Sequence, residues 1–312
     1  DSASETPIGY KKHMRTKLMK GKKLKSTTDV IKFICGFRPK DFLPEIPDIS
    51  EFSTKRTMGE DCDIMVAKYE ITRMDQDLFA IRSHNNAEKA WENGFHQKEV
   101  VQVQLDPSFE IISKDNGIRS GSSTETLAKL KPAFDKKNGT LTAANSSFLT
   151  DGGAACLLMS ESMAKKLKLK PKAEIVDFCF TGQRLNDELL LGPAFAINKV
   201  LNKTGLKLND IDVFEIHEAF AGQVLTNIKC LNDKKFCKER LNKDIPIGEI
   251  DMKKLNAWGG SLSLGHPFGA TGARLLTTSA NRLIEEEGQY AMLSACAAGA
   301  HGHAMIIKKY EV

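Results

Sequence analysis

The segment Asn256-Ala-Trp-Gly-Gly-Ser-Leu-Ser-Leu-Gly-His266-Pro-Phe-Gly-Ala-Thr-Gly272 constrains this chain more than any other, because it sets one histidine between glycine-rich flanks and then opens a helix. Gly265, Gly269 and Gly272 permit backbone conformations and close approaches that a Cβ would obstruct, and Pro267 fixes φ just after the histidine. The run 270–287 reads as the helix, and its N-terminus favours developing negative charge or a bound thioester group nearby. Taken alone, the spacing also fits an ordinary loop ahead of a helix. The neighbouring segments decide between the two readings.

Ile211-Asp-Val-Phe-Glu-Ile216 alternates like a strand and runs into His217-Glu218-Ala219-Phe220, which places His217 at a strand end where a helix begins. Open α/β sheets gather their sites at such ends. Residues 290–308 read as two apolar strands joined by a tight turn of small residues, with Cys296 at the end of the first, on the turn, where a substrate can reach a thiol.

From Asp151 onward the pattern alternates: strand 154–159, helix 160–167, strand 173–180, helix 194–204, strand 211–216, helix 219–230, helix 270–287 and the two final strands. That order implies a layered sheet with helices on both faces. Residues 1–150 are polar, basic and loop-rich, with prolines at 39, 44 and 47, helices around 61–72 and 75–93, and a strand over 100–105.

His217-Glu-Ala-Phe, Gly265-His-Pro-x-Gly269 and Cys296-Ala-Ala-Gly299, in this order, resemble three of the four catalytic loops of the thiolases, with His217 where many members carry asparagine. The likeness extends over nearly the whole chain and is loosest before Phe52. The runs 145–152 and 258–266 point to the branch acting on long-chain 3-ketoacyl-CoA. The resemblance implies an α/β thiolase fold, a layered αβαβα arrangement of which this chain would carry the loop domain and the C-terminal half. Residues 1–150 would be the CoA-covering loop domain, 151–171 the remainder of the N-terminal domain, and 172–312 the C-terminal domain.

The resemblance also implies roles. His266 would raise the thiolate fraction of the nucleophile and, with His217, hold negative charge on the thioester oxygen. Cys296 would move protons, with a pKa near ambient. Ser147, Phe134, Ala143 and Phe220 would line the pantetheine path. Ala298 departs from the family, which usually has glycine two residues after the second cysteine. No permanently bound cofactor is expected, coenzyme A being a co-substrate. The expected partners are 3-ketoacyl-CoA and CoA, a second copy of the chain, and a hydratase/dehydrogenase subunit, on the matrix side of the mitochondrial inner membrane.

The family's nucleophilic cysteine has no counterpart here. Cys35 and Cys62 lie in the early polar stretch, Cys156 and Cys179 in apolar runs, and Cys230 and Cys237 in a charged segment. Together with a start at Asp1 rather than methionine, this leads to the expectation of a C-terminal part of a longer protein, inactive by itself. Alternative readings are another thiolase such as an acetoacetyl-CoA thiolase, a ketoacyl synthase, against which the second thiol argues, and a non-catalytic lipid-binding or assembly module.

Composition fits a globular enzyme: 312 residues with 41% hydrophobic ones suffice for a substantial core, and seven scattered cysteines are no disulfide framework. No zinc-ligand spacing surrounds Cys230 and Cys237, and His301 and His303 lack a third ligand, so no metal is expected. Net charge is only +5, yet the run 11–25 is basic without an acid, interleaved with Met14, Leu18, Met19 and Leu24. It reads either as a solvated basic face or as one that meets anionic lipid heads or CoA phosphates, and the apolar run 31–37 with Phe42-Leu43 fits a membrane-facing element (11–43). No aromatic platform or motif supports nucleic-acid binding.

Overall fold

The structure, a computed structural model, describes residues 2, 9–22, 24–45 and 50–311. Residues up to 49 and residues from 50 onward form separate units.

In the first unit, the short strand β1 (Gly9–Tyr10) is followed by α1 (Lys12–Gly21), α2 (Thr27–Cys35) and β2 (Pro44–Glu45), which pairs antiparallel with β1. Buried Asp41 organises it, accepting from Lys17 Nζ at 2.6 Å and from the Arg38 amide at 3.1 Å, with His13 Nε2 at 3.0 Å. Ser26 caps α2 by accepting from the Asp29 amide. Apolar Leu18 and Met19 on α1, Val30, Ile31 and Ile34 on α2, and Phe42 and Leu43 beyond it are exposed. Lys23 and Pro47, to which the basic and proline-bearing runs extend, lie outside the described residues.

In the second unit, α3 (Met58–Lys68) and α4 (Arg73–Glu92) each start at a capping box, Thr57 with Glu60 and Thr72 with Asp75, in which two otherwise orphaned amides are satisfied reciprocally. A hairpin of β3 (Val103–Leu105) and β4 (Glu110–Ile112) follows, then α5 (Thr124–Ala128) and α6 (Glu161–Leu167). The strand expected over 154–159 is not formed, and Leu157 is 77% exposed. Its apolar run has no strand beside it among the described residues, and an extended segment becomes a strand only when its backbone groups find a ladder.

The remaining elements are β5 (Ala173–Gly182), α7 (Gly192–Thr204), β6 (Val213–Ile216), α8 (Ala221–Asn232), α9 (Lys234–Leu241), α10 (Ser261–Leu264), α11 (Phe268–Glu285), β7 (Tyr290–Ala297) and β8 (His301–Lys309). Among the described residues the last strands form one sheet in the order β5-β8-β7-β6, with only β6 and β7 parallel. The period of two in β6 to β8 separates two cores. Phe214, Ile216, Met292, Cys296, Ala304 and Ile306 join the core that holds α7 and α8 residues such as Ile197, Val200 and Val224. Val213, Ala291, Leu293 and Ile307 pack instead with Leu275 and Leu283 of α11. Helices therefore cover both faces, as the alternation of the sequence requires. Strand β5 is one of the two edges, and its Ile175, Val176, Phe178 and Phe180 are exposed.

Candidate active site

Parallel pairing of β6 with β7 puts their C-terminal ends side by side. Ile216 is opposite Ser294, and the His217 amide donates to the Ser294 carbonyl at 2.8 Å. His217 thus emerges one residue past β6, while Cys296 stands two residues past Ser294. Cys296 does not sit on the turn, as the sequence reading had it. It pairs with Gly302 inside β7, and the residue is only 8% exposed. Its turn takes the left-handed conformation at Gly299 (φ +78°) and Ala300 (φ +55°), so Ala298 needs no glycine freedom.

The loop carrying His266 is attached to this sheet end by side chains. Asn256 Oδ1 accepts from the Ile216 amide at 2.9 Å, and its Nδ2 donates to the Ile216 carbonyl at 2.9 Å and to Glu218 Oε1 at 2.7 Å. Glu218 Oε2 in turn accepts from Ser83 Oγ at 2.7 Å and from the Leu262 amide at 3.2 Å. Burial raises the Glu218 carboxyl above its usual range, and these donors pull it back. Gly260 is obligatory here, because a Cβ on it would lie 2.2 Å from Glu218 Cδ. Gly265, at φ +87°, leaves no room either: its Cβ would meet Thr150 Oγ1 at 2.1 Å.

The segment 145–150 completes the wall. Its Ser147 amide donates to the Ala219 carbonyl at 2.9 Å, the Ala221 amide donates to the Asn145 carbonyl at 2.9 Å, and the His266 amide donates to the Phe148 carbonyl at 3.2 Å. The His217 and His266 rings consequently lie 4.1 Å apart between centroids, tilted by 41°. His217 Nδ1 is 2.9 Å from Ser261 Oγ, and His266 Nδ1 is 2.7 Å from Thr271 Oγ1. Burial holds His266 down at about 4, with the Arg274 charge adding to it. The same causes, with His266 itself, hold His217 well below the ordinary imidazole range. Both rings are neutral near pH 7. Burial pushes the Cys296 thiol up to about 12, above the near-ambient value expected from its role.

A cavity of about 460 Å³ is lined by residues including His84, Arg119, Ser122, Ala143, Phe148 and Leu262. Leu262 belongs both to this lining and to the network around Glu218, so the cavity adjoins the histidine loops. Of the four residues expected along a pantetheine path, Ala143 lines it. Ser147 is held beside Ala219 by its backbone, and Phe134 packs edge-on against Phe220 at 5.7 Å. Arg119 and His84 escaped the sequence reading. The Arg119 amide donates to His84 Nδ1 at 3.1 Å, a contact across 35 positions of chain that no local pattern announces. Among the described residues no group of three or more His, Cys, Asp or Glu could hold a metal ion.

Residues 40–162 match the profile of the thiolase N-terminal domain, and residues 169–309 match that of the thiolase C-terminal domain. The chain is 48% identical over 307 residues to the rat (Rattus norvegicus) mitochondrial trifunctional enzyme subunit beta, covering 98% of this chain and 64% of that protein. It is 50% identical over 309 residues to a probable 3-ketoacyl-CoA thiolase of Caenorhabditis elegans, covering 98% of this chain and 68% of the other. A crystal structure of human mitochondrial 3-ketoacyl-CoA thiolase in complex with CoA superposes with a TM-score of 0.73 at 29% identity, over 84% of this chain and 61% of that one. Matches of this extent to both domain profiles, together with the half-identical worm relative, place this chain in the thiolase family.

Proposed function

We propose that this chain serves a 3-ketoacyl-CoA thiolase of fatty acid β-oxidation, cleaving 3-ketoacyl-CoA with CoA to acetyl-CoA and a shortened acyl-CoA. The observation that carries the reading is the pair of neutral histidines 4.1 Å apart at the sheet end shared with Cys296. The reading applies to a site that also contains the family's nucleophilic cysteine, a place that none of the seven cysteines here takes. In that site, His266 accepts the nucleophile's proton and the thiolate attacks the 3-keto carbon. As the C2–C3 bond breaks, the acetyl-CoA enolate takes the proton of Cys296. The Cys296 thiolate then removes the proton of the incoming CoA thiol, and the CoA sulfur displaces the acyl group from the nucleophile. A buried thiol with a pKa near 12 suits this order. It holds its proton until a stronger base, the enolate, forms, and as a thiolate it readily deprotonates a thiol of ordinary pKa, about 8.5. His217 and His266 supply donors to the negative charge on the thioester oxygen.

Coenzyme A is the co-substrate in this reading, and the cavity at Arg119 and Ala143 fits its pantetheine arm, with the Arg119 guanidinium available to its phosphates. The division into 1–150, 151–171 and 172–312 belongs to the same proposal, as do a homodimer and a partner subunit with hydratase and dehydrogenase activities. The names of the mammalian relatives support a mitochondrial location. The exposed apolar residues of α1 and α2, next to a lysine-rich run, support attachment to an anionic membrane surface. No helix among the described residues is long and apolar enough to cross a membrane. The test is a thiolysis assay, following CoA-dependent loss of 3-ketoacyl-CoA, on the protein that joins this chain to the nucleophile loop. Absence of CoA-dependent cleavage there would overturn the reading.

A further inference from the structure

We propose that Ser261 and Arg274 are positioning residues that fix His217 as its Nε2–H tautomer, so that this ring enters the site as a hydrogen-bond donor. Arg274 Nη2 lies 3.2 Å from Ser261 Oγ, and a guanidinium can only donate, so one lone pair of that oxygen is taken. Ser261 is fully buried, and among the described residues the one acceptor within reach of its hydroxyl proton is His217 Nδ1, at 2.9 Å. If His217 carried its proton on Nδ1 instead, that proton would occupy the second lone pair of Oγ and leave a buried hydroxyl proton with no acceptor. Ser261 therefore donates to Nδ1, and in a neutral ring the proton sits on Nε2.

Arg274 is unusual in how little else it does. Its Nε and Nη1 are buried without an acceptor among the described residues, and its charge favours the ionised forms of Asp115 and Glu215 without a hydrogen bond to either among those residues. Its charge reaches both rings and disfavours the imidazolium form of each. The Ser261 contact is thus its one hydrogen bond among the described residues. Asn256 and Glu218 fix the backbone on which Ser261 stands, and the Leu262 amide bound to Glu218 directly follows it. His266 has no such relay. Its partner, Thr271 Oγ1, has a second acceptor in the Pro267 carbonyl at 3.4 Å, so His266 provides an internal comparison.

The use of the donor, to bind a thioester oxygen, rests on the proposed thiolase reading; the tautomer itself does not. The test is therefore made without turnover, by NMR of the 312-residue chain with 15N-labelled histidine at neutral pH. The His217 signals are assigned by their loss in His217→Asn. The expected result is a protonated, pyrrole-like Nε2 and an unprotonated, pyridine-like Nδ1. Ser261→Ala and Arg274→Met should each move this pair toward the averaged position of a mixed tautomer, Ser261→Ala leaving the His266 signals in place, and Ser261→Thr should restore it. A protonated Nδ1 in the parent chain overturns the proposal whether or not any variant folds, and so does an unchanged His217 pair in a folded Ser261→Ala. In the complete thiolase, Ser261→Ala should lower kcat about 10- to 100-fold with little change in KM, the loss of an aligned oxyanion donor. A change confined to KM would assign Ser261 to substrate binding and overturn the positioning role. Absence of thiolysis in the parent enzyme would strike the functional reading alone.

Discussion

Asn256 and Glu218 are joined by a 2.7 Å hydrogen bond that locks the His266 loop to the end of β6, with both side chains fully buried. The bond matters because the two histidines reach each other from segments 49 residues apart. Asn256→Ala takes a partner from three groups, the Ile216 amide, the Ile216 carbonyl and one Glu218 oxygen. It should cost about 1–3 kcal/mol for each buried group left unpaired, measured by urea unfolding. A loss below about 0.5 kcal/mol would mean that water or a neighbour replaces the amide.

His84 and His266 each make stability fall with acid in a defined window. His84 and His266 are held at about 4 against an ordinary 6.5, in both cases chiefly by burial. The folded state therefore binds fewer protons than the unfolded state between these values, and stability rises with pH there. The contribution is complete above about pH 6.5 and is lost as pH falls toward 4, a few kcal/mol for the two groups together after allowance for their partial exposure. Buried Glu215, pushed up to about 7, acts in the opposite direction over the same window, so the test compares urea midpoints of the parent and His84→Gln from pH 7 to pH 4.5: an acid dependence no smaller in the variant would contradict this.

Arg282 and Glu215 form an ion pair at 2.8 Å with both side chains at 0% exposure, binding α11 to β6. Arg282→Met leaves a buried carboxylate uncompensated and should cost about 3–5 kcal/mol, while the double replacement Arg282→Met with Glu215→Leu should recover much of that. A double mutant no more stable than the single one would show that the arginine's bonds to the Phe214 and Lys254 carbonyls, not the ion pair, carry the effect.

Much of this architecture was legible in the sequence. Alternation predicts β6, apolar runs around a turn of small residues predict β7 and β8, helical patterns predict α4, α8 and α11, and the glycines around His266 mark a tight loop. What escaped depends on contacts distant in sequence. The clamp by Asn256, the relay through Ser261 and the cavity at Arg119 join segments that no periodicity relates. The apolar run 154–159 carries a strand signal, but that signal specifies a face to bury and not the neighbour that buries it. Cys296 was placed on the turn because small residues continue past it, whereas the ladder with β8 extends to Ala297.

Vesicle binding tests the first unit. Replacing Lys20, Lys22, Lys23 and Lys25 by glutamine should release the protein from cardiolipin-containing vesicles, since each lysine near an anionic surface contributes about 1 kcal/mol and is screened by salt. In the protein that includes the nucleophile loop, turnover on a soluble short-chain substrate should stay close to normal. Equal binding by the parent and the quadruple variant would leave only a hydrophobic or partner-mediated attachment.

Cys296→Ala, in the protein that includes the nucleophile loop, should block proton transfer and leave acylation of the nucleophile possible. Intact mass should then reveal a trapped acyl-enzyme after incubation with acyl-CoA. Unchanged steady-state turnover would remove Cys296 from the mechanism.

The central claim, that His266, His217 and Cys296 complete a thiolase site whose nucleophile is none of the cysteines present here, is tested most directly by acetyl-CoA formation from 3-ketoacyl-CoA and CoA. The assay is run side by side on the 312-residue chain and on the protein joining it to the nucleophile loop. The account predicts no product from the first, and from the second a turnover that His266→Ala lowers by at least about 100-fold. Turnover by the 312-residue chain alone, abolished by alkylating one of its seven cysteines, would contradict it.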